Sequence, residues 1–202
     1  TNEGDWFRYT VYGNVNSSLQ HNRYGALASF SRFTPYDSVD NANYKASVHL
    51  EEARQSYQSV RNFQEVRVFY GHNSSPFTTE LYAENELVDA DVIAPSSTLQ
   101  VMKWGFDEPV RNIQLTFEGN DSPEIYGIAL DALSGVAVDN IAMRGSSGLE
   151  FSKINRQLLK NMYNHLNIKL LILQFGGNVV PYIGDGHERY ERWFRSQLMI
   201  LK

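Results

Sequence analysis

Over residues 1 to about 131, short apolar–polar alternations are cut repeatedly by turn-forming clusters, and nothing of helical period lies between them. Eight stretches read as strands: Trp6–Tyr12, Gly25–Phe33, Tyr44–Leu50, Glu65–Tyr70, Thr79–Ala83, Thr98–Trp104, Val110–Phe117 and Ile125–Leu130. The breaks are explicit, as in Gly71-His72-Asn73-Ser74-Ser75-Pro76 and Glu118-Gly119-Asn120-Asp121-Ser122-Pro123. Where alternation is clean, one face is apolar. Val66, Val68 and Tyr70 share a side, and Ile113, Leu115 and Phe117 point together while Gln114 and Thr116 point away. A chain patterned this way buries its apolar faces by laying one antiparallel sheet on another, most simply as a jelly roll. Residues 51–59 are polar and read as a long loop or a strand edge.

The period changes near Ser134-Gly135. Residues 136–142 read as a short strand, followed by the loop Met143-Arg144-Gly145-Ser146-Ser147-Gly148. Apolar residues then recur at Phe151, Ile154, Leu158, Met162 and Leu166, which is helical spacing. Ser147 with Glu150 three residues on has the form of a capping box and predicts a helix from about Gly148 to His165. Residues 168–175, with the apolar run Leu170-Leu171-Ile172-Leu173, read as a buried strand ending in Gly176-Gly177-Asn178. A second amphipathic segment places Tyr190, Trp193, Phe194, Leu198 and Leu201 on one side. Strand, helix, strand is a crossover between parallel strands. The fold expected is therefore mostly β: a jelly-roll sandwich over 1–131, then a partial α/β segment over 135–202. A two-stranded parallel sheet leaves Leu170–Leu173 poorly covered. Either a partner (the rest of this domain, or another copy of the chain) or a rearranged tail is expected there.

Charge and composition narrow the functions. The 202 residues carry a net charge of -5 with no basic run, which argues against nucleic acid as a partner. No apolar stretch is long enough to span a membrane and no signal-peptide pattern is present. The chain starts at Thr1 without a Met, as a processed or truncated piece would. There is no Cys, hence no thiolate metal site, and His21, His49, His72 and His165 lack ligand spacing, so no metal is expected. No cofactor is expected either: Gly145-Ser146-Ser147-Gly148 lacks the Lys of a phosphate-binding loop. Asn16-Ser17-Ser18 and Asn73-Ser74-Ser75 match the N-glycosylation pattern, which also arises by chance.

Both expected strands deliver a loop to one sheet edge. Gly145 precedes an expected helix N-terminus, where backbone N–H groups lack partners, and Asn178 carries a side-chain amide. A backbone N–H and an Asn amide converging on one point form an oxyanion hole for acyl transfer. Two ordinary turns have the same composition. Ser146 or Ser147 with Asp185 and His187 holds the residue types of a hydrolytic triad, but Asp185 and His187 are two residues apart and rarely face each other. Trp6, Trp104, Tyr9, Tyr44, Tyr57 and Tyr126 would stack on sugar rings if exposed and fill the core if not.

Asn140-Ile141-Ala142-Met143-Arg144-Gly145 resembles the second block of the SGNH (GDSL-type) esterases, and Leu173-Gln174-Phe175-Gly176-Gly177-Asn178 resembles the third. The resemblance covers residues 135–202. It implies that Gly145 and Asn178 are the catalytic oxyanion-hole donors. The Gly-Asp-Ser block with the nucleophile and the Asp-x-x-His motif do not occur in this sequence, and Ala142 and Val179 depart from common members. Members resembling peptidoglycan O-acetylesterases carry a β-sandwich between the first and second blocks, which is the layout here. The resemblance thus implies the middle of a larger serine esterase, periplasmic or secreted. Its substrate would be a carbohydrate or peptidoglycan O-acetyl ester. With its triad outside, this chain would be inactive alone. The alternative is a non-catalytic carbohydrate-binding or adhesion module.

Overall fold

A computed structural model describes residues 2–12, 19–36, 42–52, 55, 57 and 61–201. The protein is mostly β, with two antiparallel five-stranded sheets forming a sandwich. The strands are β1 (Asn2–Glu3), β2 (Phe7–Thr10), β3 (Ser29–Arg32), β4 (Tyr44–Glu51), β5 (Phe63–Gly71), β6 (Phe77–Ala83), β7 (Glu86–Ile93), β8 (Gln100–Val110), β9 (Asn112–Gly119) and β10 (Glu124–Asp131). One sheet runs β1-β4-β9-β6-β7 and the other β2-β3-β10-β5-β8. β3 to β6 alternate between the two sheets, as do β7 to β10, with β6 and β7 a hairpin inside one sheet; all eight strands expected from the sequence are present. The chain divides into two compact units. The first holds Thr1–Arg8 with Ser31–Asp139, and the second Tyr9–Phe30 with Asn140–Lys202.

In the first unit, Val66, Val68, Leu81, Ile113, Leu115 and Phe117 are fully buried and belong to one apolar core. Register explains the selection. Ala46, Val48 and Leu50 of β4 pair with Phe117, Leu115 and Ile113 of β9, so side chains of one parity turn inward together. Two strands were not legible. β1 is only two residues long. β7, Glu-Leu-Val-Asp-Ala-Asp-Val-Ile, lies at the sheet's edge with seven of its eight residues exposed, so neither face needs to be apolar. It is joined to β6 by Glu84 and Asn85, both at positive φ (50° and 68°), between the paired Ala83 and Glu86. That is the two-residue hairpin geometry whose twist suits antiparallel strands. Pro109 is tolerated in β8 because β8 is the edge of its own sheet.

In the second unit, Phe30 is ringed by Tyr9, Tyr24 and His21, with centroids 5.1 to 5.6 Å away. The helix α1 (Arg156–Leu166) buries Leu158, Leu159 and Met162. The Asn22 carbonyl accepts from the Asn155 N–H at 2.7 Å, and the Ala26 N–H donates to the Met162 sulfur at 3.3 Å. A second helix, α2 (His187–Leu201), closes the chain.

The tail differs from its sequence reading in four ways. Residues 136–142 and 168–175 join no β-ladder among the described residues. Leu170 and Ile172 stay 76% and 79% exposed. An apolar run becomes a strand only when a neighbouring strand takes its backbone groups, and among the described residues none does. The helix begins at Arg156 rather than Gly148. Glu150 is bonded by Ser146 instead of Ser147, a short helical turn at Phe151–Lys153 ends in extended Ile154, and Asn155 caps the helix by accepting from the Leu158 N–H. Gly145 is therefore not at a helix N-terminus. On α2 the covered stripe is Tyr190, Phe194, Gln197 and Leu201, while Trp193 and Leu198 remain exposed.

Asn73 is buried, its amide donating to the Ser75 and Ala94 carbonyls, and is not presented for glycosylation. Asn16-Ser17-Ser18 and most of 53–60 lie outside the described residues.

Candidate functional site

Gly145 is the third residue of a four-residue turn closed by the Ser146 N–H on the Met143 carbonyl at 3.0 Å. Its φ of +80° matches the turn position that favours glycine. Gly176, at φ +107°, starts the second turn, and its carbonyl accepts from the N–H groups of Val179 and Val180, both at 2.9 Å. Asn178 sits on that turn. Its Nδ2 donates to the Gly145 carbonyl at 3.2 Å. The two loops, 33 residues apart in sequence, thus meet through the pair of residues singled out from the sequence. Both residues are exposed, and the Gly145 N–H has no hydrogen-bond partner among the described residues.

The Gly145 loop is held from the far side. Ser146 Oγ accepts from the Gly148 N–H at 3.0 Å, and Tyr190 of α2 donates its hydroxyl to the Ser147 carbonyl at 2.7 Å. Burial, then the Glu150 carboxylate, pushes the Tyr190 phenol up, so it stays a donor at neutral pH. Gln197, buried on α2, accepts from the Ser152 N–H at 2.8 Å and donates to its hydroxyl at 3.3 Å. Phe151, Phe175, Phe194 and Tyr190 form an unbroken aromatic row beneath. Gly148 lies against this row at φ +80°, and a Cβ there would sit 2.7 Å from Phe175 and 2.8 Å from Phe194. Gly148→Ala combines backbone strain with overpacking and should destabilise the second unit by about 2–3 kcal/mol. Thermal unfolding followed by Trp193 fluorescence checks this. Gly145→Ala, where a Cβ would meet nothing within 4 Å, should cost only the strain.

Above the row a hollow of about 360 Å³ opens, lined by Ser147, Asn178, Tyr182, Arg189, Tyr190 and Trp193 among others. Asp185 lies in a short helical turn and His187 opens α2; neither hydrogen-bonds Ser146 or Ser147 among the described residues. No group of three metal-ligating side chains occurs among the described residues, and no described helix is long and apolar enough to cross a membrane.

No protein-family profile matches the sequence, and no curated protein matches it. Solved structures match in part. A family two carbohydrate esterase from Clostridium thermocellum, in complex with cellohexaose, aligns at TM-score 0.33 and 4% identity over 62% of this chain and 31% of that one. CBM51 from Clostridium perfringens GH95, in complex with methyl-galactose, aligns at TM-score 0.29 and 10% identity over 61% of this chain and 92% of that one. CBM51-2 with INT domains from Clostridium perfringens ZmpB, in complex with GlcNAc, aligns at 0.30 and 10% over 62% and 29%. The aligned part thus spans about a third of the esterase and of the ZmpB fragment.

A polar cluster in the first unit has no counterpart in the sequence reading. Arg32, buried at the end of β3, donates to Asp121 Oδ1 at 2.6 Å and to Thr34, and its guanidinium lies 4.2 Å from the Tyr36 ring centroid. Asp121 Oδ2 accepts from the Ser74 N–H and hydroxyl at 2.6 and 2.8 Å. Glu124 is fully buried and accepts from Tyr36 at 2.5 Å and Tyr126 at 2.7 Å; the Tyr126 hydroxyl also lies 2.7 Å from His72 Nδ1. Burial first, and the Glu124 charge second, push the Tyr36 phenol far up, which keeps it protonated. With buried oxygens matched to donors, the cluster ties three turns together. Of the aromatics noted from sequence, Tyr9 and Tyr126 are buried, Trp6 packs edge-on to Phe33 and Phe117, and the Trp104 indole N–H donates to Asp89 at 2.6 Å. Tyr57 is exposed.

Proposed function

We propose that this chain carries the oxyanion-binding part of an SGNH-type serine esterase that deacylates an O-acetylated carbohydrate or peptidoglycan. The observation that carries the reading is the 3.2 Å contact joining Asn178 to the Gly145 loop. It brings together the two residues that the block resemblance names, although neither is delivered by a strand. In this reading the Gly145 N–H and the second Asn178 amide hydrogen stabilise the charge that develops on the carbonyl oxygen. The nucleophile, base and orienting acid come from outside residues 1–202. The domain division at 131/135 and a periplasmic or secreted location belong to the same reading.

The test uses the full reading frame that contains this chain, assayed on 4-nitrophenyl acetate. Asn178→Ala should lower kcat by about 10²–10³ with little change in KM, as loss of one oxyanion donor does. Unchanged kcat overturns the proposal.

A second reading is a carbohydrate-binding sandwich. A hollow of about 420 Å³ on the first unit is lined by Tyr70, Asp91, Ser96 and Gln100 among others, an aromatic ring beside polar groups. This reading gains over the first if sugars titrate that hollow while the full-length protein has no esterase activity.

A further inference from the structure

The hollow beside Asn178 has a lining that an acyl-binding site alone does not explain. Arg189 is the only charged side chain among the lining residues. Its guanidinium lies 5.1 Å from the Trp193 ring centroid, and no carboxylate pairs with it among the described residues; nearby Glu191 is taken by Arg195 at 2.8 Å. Trp193 is 50% exposed and Tyr182 86% exposed, although Tyr190 and Phe194 on the same helix are largely covered. Large aromatics left in water at the mouth of a concave, partly polar hollow are the anatomy of a binding platform. Attraction to the indole face keeps the guanidinium beside the hollow, and a guanidinium meets a planar anion with two parallel N–H donors.

We propose that this hollow binds a carboxylate-bearing sugar, with the pyranose ring against Trp193 and Tyr182 and the carboxylate on Arg189. The geometry that carries it is one arginine over the Trp193 ring, with no carboxylate partner among the described residues, lining the same hollow as Asn178. The proposal deepens the esterase reading by naming the sugar class that would present its ester to Asn178. Its binding step is nevertheless independent of any hydrolysis.

The experiment is a titration of the 202-residue chain with glucuronate, glucose and acetate, read on the Trp193 indole N–H by two-dimensional NMR, with Trp193→Phe assigning the signal. Glucuronate should shift the Trp193 signal and bind at least tenfold more tightly than glucose, and acetate should bind more weakly than glucuronate. Arg189→Gln should abolish the preference for glucuronate while leaving glucose binding intact. Trp193→Ala, with its thermal unfolding midpoint as the folding control, should lose both sugars by calorimetry. Equal binding of glucuronate and glucose, acetate binding as tight as glucuronate, or a preference that survives Arg189→Gln overturns the proposal. Asn178→Ala should still bind glucuronate. If kcat is unchanged in that variant but glucuronate binds, the esterase reading fails and this one stands; if kcat falls and glucuronate does not bind, the reverse holds.

Discussion

Arg32→Met should lower the unfolding free energy of the sandwich unit by about 3 kcal/mol at neutral pH, read from urea unfolding followed by Trp6 fluorescence. The guanidinium is 6% exposed and its partner Asp121 22% exposed. Methionine fills much of the space but leaves a half-buried carboxylate with fewer donors, and an uncompensated buried charge costs several kcal/mol. The partial exposure of Asp121 sets the lower end of that range. Acid should shrink the penalty. Burial pushes the Asp121 carboxyl up, but the Ser74 donors and Arg32 outweigh it, and the net pKa lies below the ordinary value of 3.8. A folded-state pKa that is depressed gives stability present above the unfolded value and lost as pH falls through the folded one. Wild type therefore weakens below about pH 4, and the difference between wild type and Arg32→Met narrows with it. Arg32→Met/Asp121→Asn should recover part of the loss at pH 7, because the orphaned charge is gone.

Phe117→Ala should cost about 3–5 kcal/mol, the range for deleting a buried phenyl ring. Phe117 is fully buried, and its ring centroid lies 6.0 Å from Trp6, 6.3 Å from Phe33 and 6.4 Å from Phe77. Those rings come from four separate chain segments. A cavity at their junction cannot collapse without moving paired strands, so the cost belongs near the top of the range. A chemical denaturation midpoint for the sandwich unit, set against Phe69→Leu as a milder ring loss, checks it.

The sandwich was legible because its information is local: alternation fixes the inward face, and Gly, Pro and Asn fix the breaks. Ile113, Leu115 and Phe117 were readable from their own spacing and are fully buried. β7 was not, because an edge strand exposed on both faces carries no apolar stripe. The tail was misread for the opposite reason. Leu170–Leu173 has a strand's composition, but a ladder needs a partner strand that local sequence does not supply. The Asn178–Gly145 contact was legible only as two motifs in order, and the hydrogen bond itself came from turns rather than a sheet edge. The Arg32–Asp121–Ser74 cluster was invisible, since its bonded pairs lie 89 and 47 residues apart and no local pattern joins a strand-end Arg to two turn residues. Trp193 shares a side of its helix with Tyr190 and Phe194 in the sequence pattern, yet it is 50% exposed while they are largely covered.

The exposed edge and the exposed tail carry different risks of self-association. β7 interrupts its apolar residues with Glu86, Asp89 and Asp91, so two such edges repel each other before their backbones can pair. Leu170-Leu171-Ile172-Leu173 has no charge within it, and only Lys169 guards one flank. Strand-forming, uncharged and uncovered, this run is the kind of segment from which cross-β stacking nucleates. One acidic replacement within that run would act as its gatekeeper.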